Sequence, residues 1–130
     1  MEGAAEKKLT AIVIDDDKDV LELFSEYLKT IHVNVVGTGH NGKKAMELYQ
    51  EKKPDVAFVD LGMPEHDGIF ALKGIREKDP EAKIIIITGK LEKDASEELD
   101  CMRPYSILEK PFEVGKVVEA VDRLRNADRN

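Results

Sequence analysis

Apolar residues follow two rhythms along this chain. Short β-rich runs occupy 9–14, 33–36, 56–59, 84–87 and 105–108, and their length and β-branched content predict strands. Between them apolar positions recur every three or four residues. Val20, Leu21, Phe24, Tyr27 and Leu28 form one stripe, Ala45, Leu48 and Tyr49 a second, and Ile69, Leu72 and Ile75 a third. Ala95, Leu99 and Met102 suggest a shorter fourth, and Val114, Val117, Val118, Val121 and Leu124 make the last. This spacing predicts five amphipathic helices. Asp17, Asn41 and Asp67 stand before the first three as candidate N-caps.

Strand and helix thus alternate five times. The isoleucines at 84–87 show no polar alternation, which suits a strand covered on both faces. An α/β domain follows, a parallel sheet with helices on both sides. No repeat, low-complexity segment or long linker interrupts it. The 130 residues suffice for one domain, with a core over about 9–125 between polar tails.

Open sheets of this kind bind ligands at the carboxyl ends of their strands, near the point where strand order reverses. The first strand runs out in Asp15 and Asp16, the third in Asp60 and the fourth in Thr88, while Lys110 follows the fifth. The second ends in Gly37 and Thr38, which offer less. Parallel strands would gather three carboxylates, a hydroxyl and an ammonium at one edge. Two carboxylates about 4 Å apart repel by roughly 4 kcal/mol at an effective dielectric of about 20, so the stretch VIDDDKDV calls for a cation. Oxygen ligands without His or Cys suit a hard ion. Mg²⁺ keeps several waters while taking one or two carboxylates and a phosphate oxygen. Lys110 and Thr88 would hold phosphoryl oxygens as charge redistributes. Neither a Walker A sequence nor a GxGxxG loop is present, which favours a phosphoryl group on a protein carboxylate over a bound nucleotide. Asp17 reads as a cap rather than a ligand.

Charge and cysteine usage narrow the partners. A formal net charge of -7 argues against a nucleic-acid backbone. Cys101 is the only cysteine, so an intrachain disulfide and a CxxC metal site are both excluded, and packing is its expected role. His66 lies near Asp60, but His32 and His40 have no ligand spacing to it. The start MEGAAEKK lacks an apolar signal core and no stretch approaches membrane-spanning length. A soluble, unanchored, cytoplasmic protein is the expectation.

Four motifs in order, VIDD, AFVDLGMPEHDG, IIIITG and LEKPF, resemble the receiver domain of two-component response regulators, chemotaxis regulators among them, over nearly the whole chain. The resemblance implies a flavodoxin-like (βα)5 fold with strand order 2-1-3-4-5. It implies that Asp60 accepts a phosphoryl group from the phosphohistidine of a sensor histidine kinase or phosphotransfer protein. Asp16, Asp60 and the Gly62 carbonyl would bind Mg²⁺, or Mn²⁺ in its place, with Asp15 acting through water. Thr88 and Lys110 would contact the phosphoryl oxygens, and the Lys110–Pro111 bond would be cis. Such a protein is a phosphoacceptor that assists its own phosphorylation and dephosphorylation rather than an enzyme. Its output would pass through the face of the fourth helix, fifth strand and fifth helix to a protein partner, from a monomer or weak dimer. Gly62 and Lys90 stand where the family tunes phosphoryl lifetime.

Two positions depart from the pattern. Ile107 replaces the usual aromatic switch residue, and Tyr105, two residues earlier, would share its sheet face in a regular strand and could partly substitute. Arg103-Pro104 stands where Gly-Ala is common. Two rivals remain: a haloacid-dehalogenase-like phosphatase and a phosphorylation-independent binding module. The phosphatase fits poorly, with Asp19 where Thr or Val is expected, no late acidic pair and no cap over a substrate.

Overall fold

The computed structural model describes residues 8–63, 67–89, 103–109 and 114–127. Lys90, Lys110, the Lys110–Pro111 bond, His66, Cys101 and the helix predicted over 95–102 lie outside them. The described elements are β1 (Leu9–Ile14), α1 (Lys18–Thr30), β2 (Val33–Gly39), α2 (Gly42–Lys52), β3 (Val56–Asp60), α3 (Asp67–Lys78), β4 (Ile84–Thr88), β5 (Ser106–Glu109) and α4 (Val114–Ala127). All strand pairs are parallel, in the order β2-β1-β3-β4-β5. The expected architecture is present, with four helices among the described residues.

Period-two alternation divides each strand between two cores. Ile12 and Ile14 of β1, Ala57 and Val59 of β3, and Ile84 and Ile86 of β4 pack with Leu48, Leu72 and Ile75 of α2 and α3. Their neighbours Ala11, Val13, Val56, Phe58, Ile85 and Ile87 pack with Leu21 and Leu28 of α1 and Val117, Val121 and Leu124 of α4. The four isoleucines thus serve both faces, as a strand buried on both sides requires. Each buried aliphatic side chain contributes roughly 2 kcal/mol. Phe24 of α1 meets fully buried Phe58 edge-on, with ring centroids 5.2 Å apart.

Some boundaries differ from expectation. β2 extends through Gly39 because Gly37, Thr38 and Gly39 pair with Ile12, Val13 and Ile14 after a register shift that skips Val36 of β2. Tertiary pairing overrides the turn preference of glycine there. α3 opens at Asp67 rather than after it, so Asp67 is its first residue and not a cap ahead of it. Val114, read as part of the last apolar stripe, is 59 % exposed; as the first residue of α4 it borders a shallow apolar groove with Leu23 and Tyr27 of α1.

Candidate functional site

The parallel register brings the predicted strand ends together at the reversal between β1 and β3. Ile14 pairs with Val59 and Asp60 with Ile87, so Asp15 comes level with Asp60 and Thr88 lies one residue beyond, across three neighbouring strands. Asp15 donates its N–H to the Gly39 carbonyl at 3.0 Å, which ties it to the end of β2. Its Oδ1 accepts the Asp17 N–H at 2.9 Å. Asp17 in turn accepts the N–H groups of Asp19 and Val20 at 3.0 and 3.3 Å, capping α1 as expected and leaving the helix dipole's positive end beside the acidic run.

Asp60 is the last residue of β3. The backbone after it is held from two sides: Leu61 donates its N–H to Ile87 O at 2.8 Å, and Gly62 donates its N–H to Asp60 Oδ1 at 2.7 Å. The second bond fixes how the carboxylate is turned. A Cβ on Gly62 would sit 3.1 Å from that Oδ1, so glycine keeps this side of the acceptor open.

Asp15, Asp16 and Asp60 each offer a carboxylate oxygen, and these oxygens lie within 4.8 Å of one another. Asp15 and Asp60 are only 3 % and 5 % exposed, as is Thr88 at 5 %, while Asp16 faces solvent. Gathering three negative charges, two of them buried, is costly without compensation. The donor set is entirely oxygen, which fits a hard divalent cation such as Mg²⁺ or Mn²⁺. These are the three carboxylates the sequence singles out for a cation, and Gly62 lies in the adjoining turn. Lys110 and Lys90 lie outside the described residues.

Tyr105 does not share a face with Ile107. It occupies the bend before β5 and packs against the α1/α4 core, whereas Ile107 packs against the α2/α3 core. The condition for Tyr105 to stand in for the missing aromatic is therefore not met. Its N–H donates to Ile84 O at 2.8 Å and the Lys83 ammonium lies 5.6 Å from its ring centroid, both at the far edge of the sheet. Arg103 adopts φ 50, the left-handed conformation that glycine enters most readily.

Two contributions escaped the sequence reading. The Gly62 N–H is a backbone group with no side-chain signature. Gly68, buried at the start of α3, would place a Cβ 2.6 Å from the Asp60 carbonyl oxygen; its only signal was a glycine inside a predicted helix.

Comparison with known proteins agrees with this geometry. Residues 11–122 match the family model of the response regulator receiver domain. A chemotaxis protein CheY from Thermotoga maritima is 32% identical over 87% of this chain and 94% of its own length. The receiver domain of AraT, a response regulator from Geobacillus stearothermophilus, superimposes with a TM-score of 0.81 at 29% identity, covering 95% of this chain and 97% of its own. The CheX–CheY–BeF3–Mg complex from Borrelia burgdorferi shares the fold, with a TM-score of 0.81 at 22% identity over 89% of this chain and 88% of that one. With its strand ends, acidic cluster and family match in agreement, the chain belongs to the response regulator receiver domains.

Proposed function

We propose that this domain accepts a phosphoryl group on Asp60 from the phosphohistidine of a sensor kinase or phosphotransfer protein, and that the added charge switches a protein-binding surface. The observation that carries the reading is the carboxylate trio, with oxygens within 4.8 Å at the end of β1 and β3. A carboxylate oxygen of Asp60 attacks phosphorus, the O–P bond forms and the N–P bond of phosphohistidine breaks. The bonding pair stays with the imidazole nitrogen. Water later attacks phosphorus, releasing inorganic phosphate and restoring the carboxylate.

Asp15, Asp16 and Asp60, with the Gly62 carbonyl, would hold Mg²⁺, which when bound supplies positive charge to the cluster and to the phosphoryl oxygens. The Gly62 N–H keeps the Asp60 carboxylate turned for attack. Thr88 is poised to donate its hydroxyl to a phosphoryl oxygen, and Lys110 would pair with another. The new charge of about −2 shifts a two-state equilibrium by its different interactions in the two states. With Ile107 in place of an aromatic, that shift rests on backbone movement rather than on a swinging ring. The output face would be that of the segment before β5, β5 itself and α4. The similarity to chemotaxis CheY proteins supports signalling through protein contacts.

Intact mass after incubation with acetyl phosphate tests the proposal. The expected result is gain of one phosphoryl unit that requires Mg²⁺ and disappears in Asp60→Asn. No gain, together with no binding of beryllofluoride, would leave a phosphorylation-independent module. Hydrolysis of a simple phosphate ester that survives Asp60→Asn but is lost in Asp15→Asn would favour the phosphatase reading instead.

A further inference from the structure

We infer that Gly68 is a positioning residue for the cation cradle, because its missing side chain lets α3 press directly on the backbone that carries Asp60. This rests on reading the carboxylate trio as a divalent-cation site. A Cβ at position 68 would lie 2.6 Å from the Asp60 carbonyl oxygen and 2.9 Å from both Cα and Cδ2 of Leu61. Two of those three atoms are backbone. They have little room to retreat, since the Leu61 N–H is bonded to Ile87 O at 2.8 Å on the β4 side. The 60–61 peptide is therefore clamped between α3 and β4.

A side chain at 68 must either push α3 outward or turn that peptide. Turning it tilts the Asp60 carboxylate and moves the Gly62 N–H that holds Oδ1 at 2.7 Å. Mg²⁺ demands near-ideal octahedral placement of its oxygens, and a site loosened by about 0.5 Å loses much of its function for any divalent cation it holds. The effect should reach the cation before it reaches the fold.

Gly74 of the same helix supplies an internal control. A Cβ there would overlap the Met46 Sδ and lie 3.0 Å from its Cγ. The obstacle is a flexible thioether chain on α2, which can turn away, and it does not touch Asp60. Both glycines gain helix propensity on becoming alanine. Only one of them bears on the acceptor.

The test is a Mn²⁺ titration followed by electron paramagnetic resonance of the free ion, on the full chain, for wild type, Gly68→Ala and Gly74→Ala, with thermal melts of each. Gly68→Ala should weaken Mn²⁺ binding at least about fivefold, and Gly74→Ala should leave it within about twofold. Gly68→Ala binding Mn²⁺ like wild type, or Gly74→Ala weakening it equally, would overturn the inference. Should Gly68→Ala not fold, Leu61→Ala added to it removes the Cδ2 obstacle and the double variant is compared with Leu61→Ala alone. Wild type that binds Mn²⁺ but takes no phosphoryl group would sink the phosphoacceptor reading and leave Gly68 to be decided by the titration. Wild type that binds no Mn²⁺ overturns both.

Discussion

The two edges of this sheet treat charge in opposite ways. At the amino-terminal edge, charged and polar groups are matched. Asp55 Oδ2 accepts the Thr10 N–H and hydroxyl at 2.8 and 3.1 Å, and the Tyr49 hydroxyl donates to Asp79 at 2.7 Å. Arg76 donates to the carbonyls of Pro80, Ala82 and Arg103 at 2.9, 2.6 and 2.8 Å, which bolts the end of α3 to the segments entering β4 and β5. At the carboxyl edge, three like charges crowd within 4.8 Å. One edge ties segments of the fold together, and the other gathers carboxylates where a cation and a phosphoryl group can use them. Proteins keep such costs where function needs them.

Substitutions at the two edges should therefore differ in sign. Arg76→Ala strips three carbonyls of a charged donor and should destabilise by about 2–3 kcal/mol, lowering the melting temperature by roughly 8 °C. Phosphoryl uptake at 25 °C should stay near wild type. Asp15→Asn should do the reverse. In metal-free buffer it relieves like-charge repulsion while keeping an oxygen for the Asp17 N–H, and should raise stability by about 1 kcal/mol, read as a melting shift of about 3 °C. Mg²⁺ binding should fall at least about tenfold. A melting loss in Asp15→Asn, or a phosphorylation defect in Arg76→Ala, would break the contrast.

The smallest effect concerns pH. Burial first, then the hydrogen bond and negative charge of Asp79, raise the Tyr49 phenol above its ordinary value of 10.0. The folded state then holds its proton more tightly than the unfolded one. This contribution is fully present below about pH 10 and is lost as pH climbs toward the folded value. Melting temperature should begin to fall above pH 10, and less steeply in Tyr49→Phe, which has no proton to lose. Equal slopes in the two proteins would remove Tyr49 from the account of the amino-terminal edge.

The carboxyl edge was far more legible in the sequence than its counterpart. Asp15, Asp60 and Thr88 each follow an apolar run directly, and Asp16 comes next after Asp15, so a one-dimensional pattern plus the rule of parallel strands brings them together. Arg76 and Arg103 are 27 residues apart and meet only through loop conformation. Thr10 and Asp55 need the register of β1 against β3. The same limit explains the misjudged face of Tyr105, which assumed that β5 began one residue earlier than it does. Gly68 was hidden for another reason: close backbone approach is a property of the space around a residue, and a glycine in a helix does not announce it.

Fluorine NMR of bound beryllofluoride reads the proposed site as a whole, because the adduct needs the cation and the Asp60 oxygen together. A bound resonance is expected at one equivalent per chain that requires Mg²⁺, vanishes in Asp60→Asn and persists in Arg76→Ala. A bound resonance that survives Asp60→Asn or forms without a divalent cation would contradict it, as would none in wild type at saturating Mg²⁺.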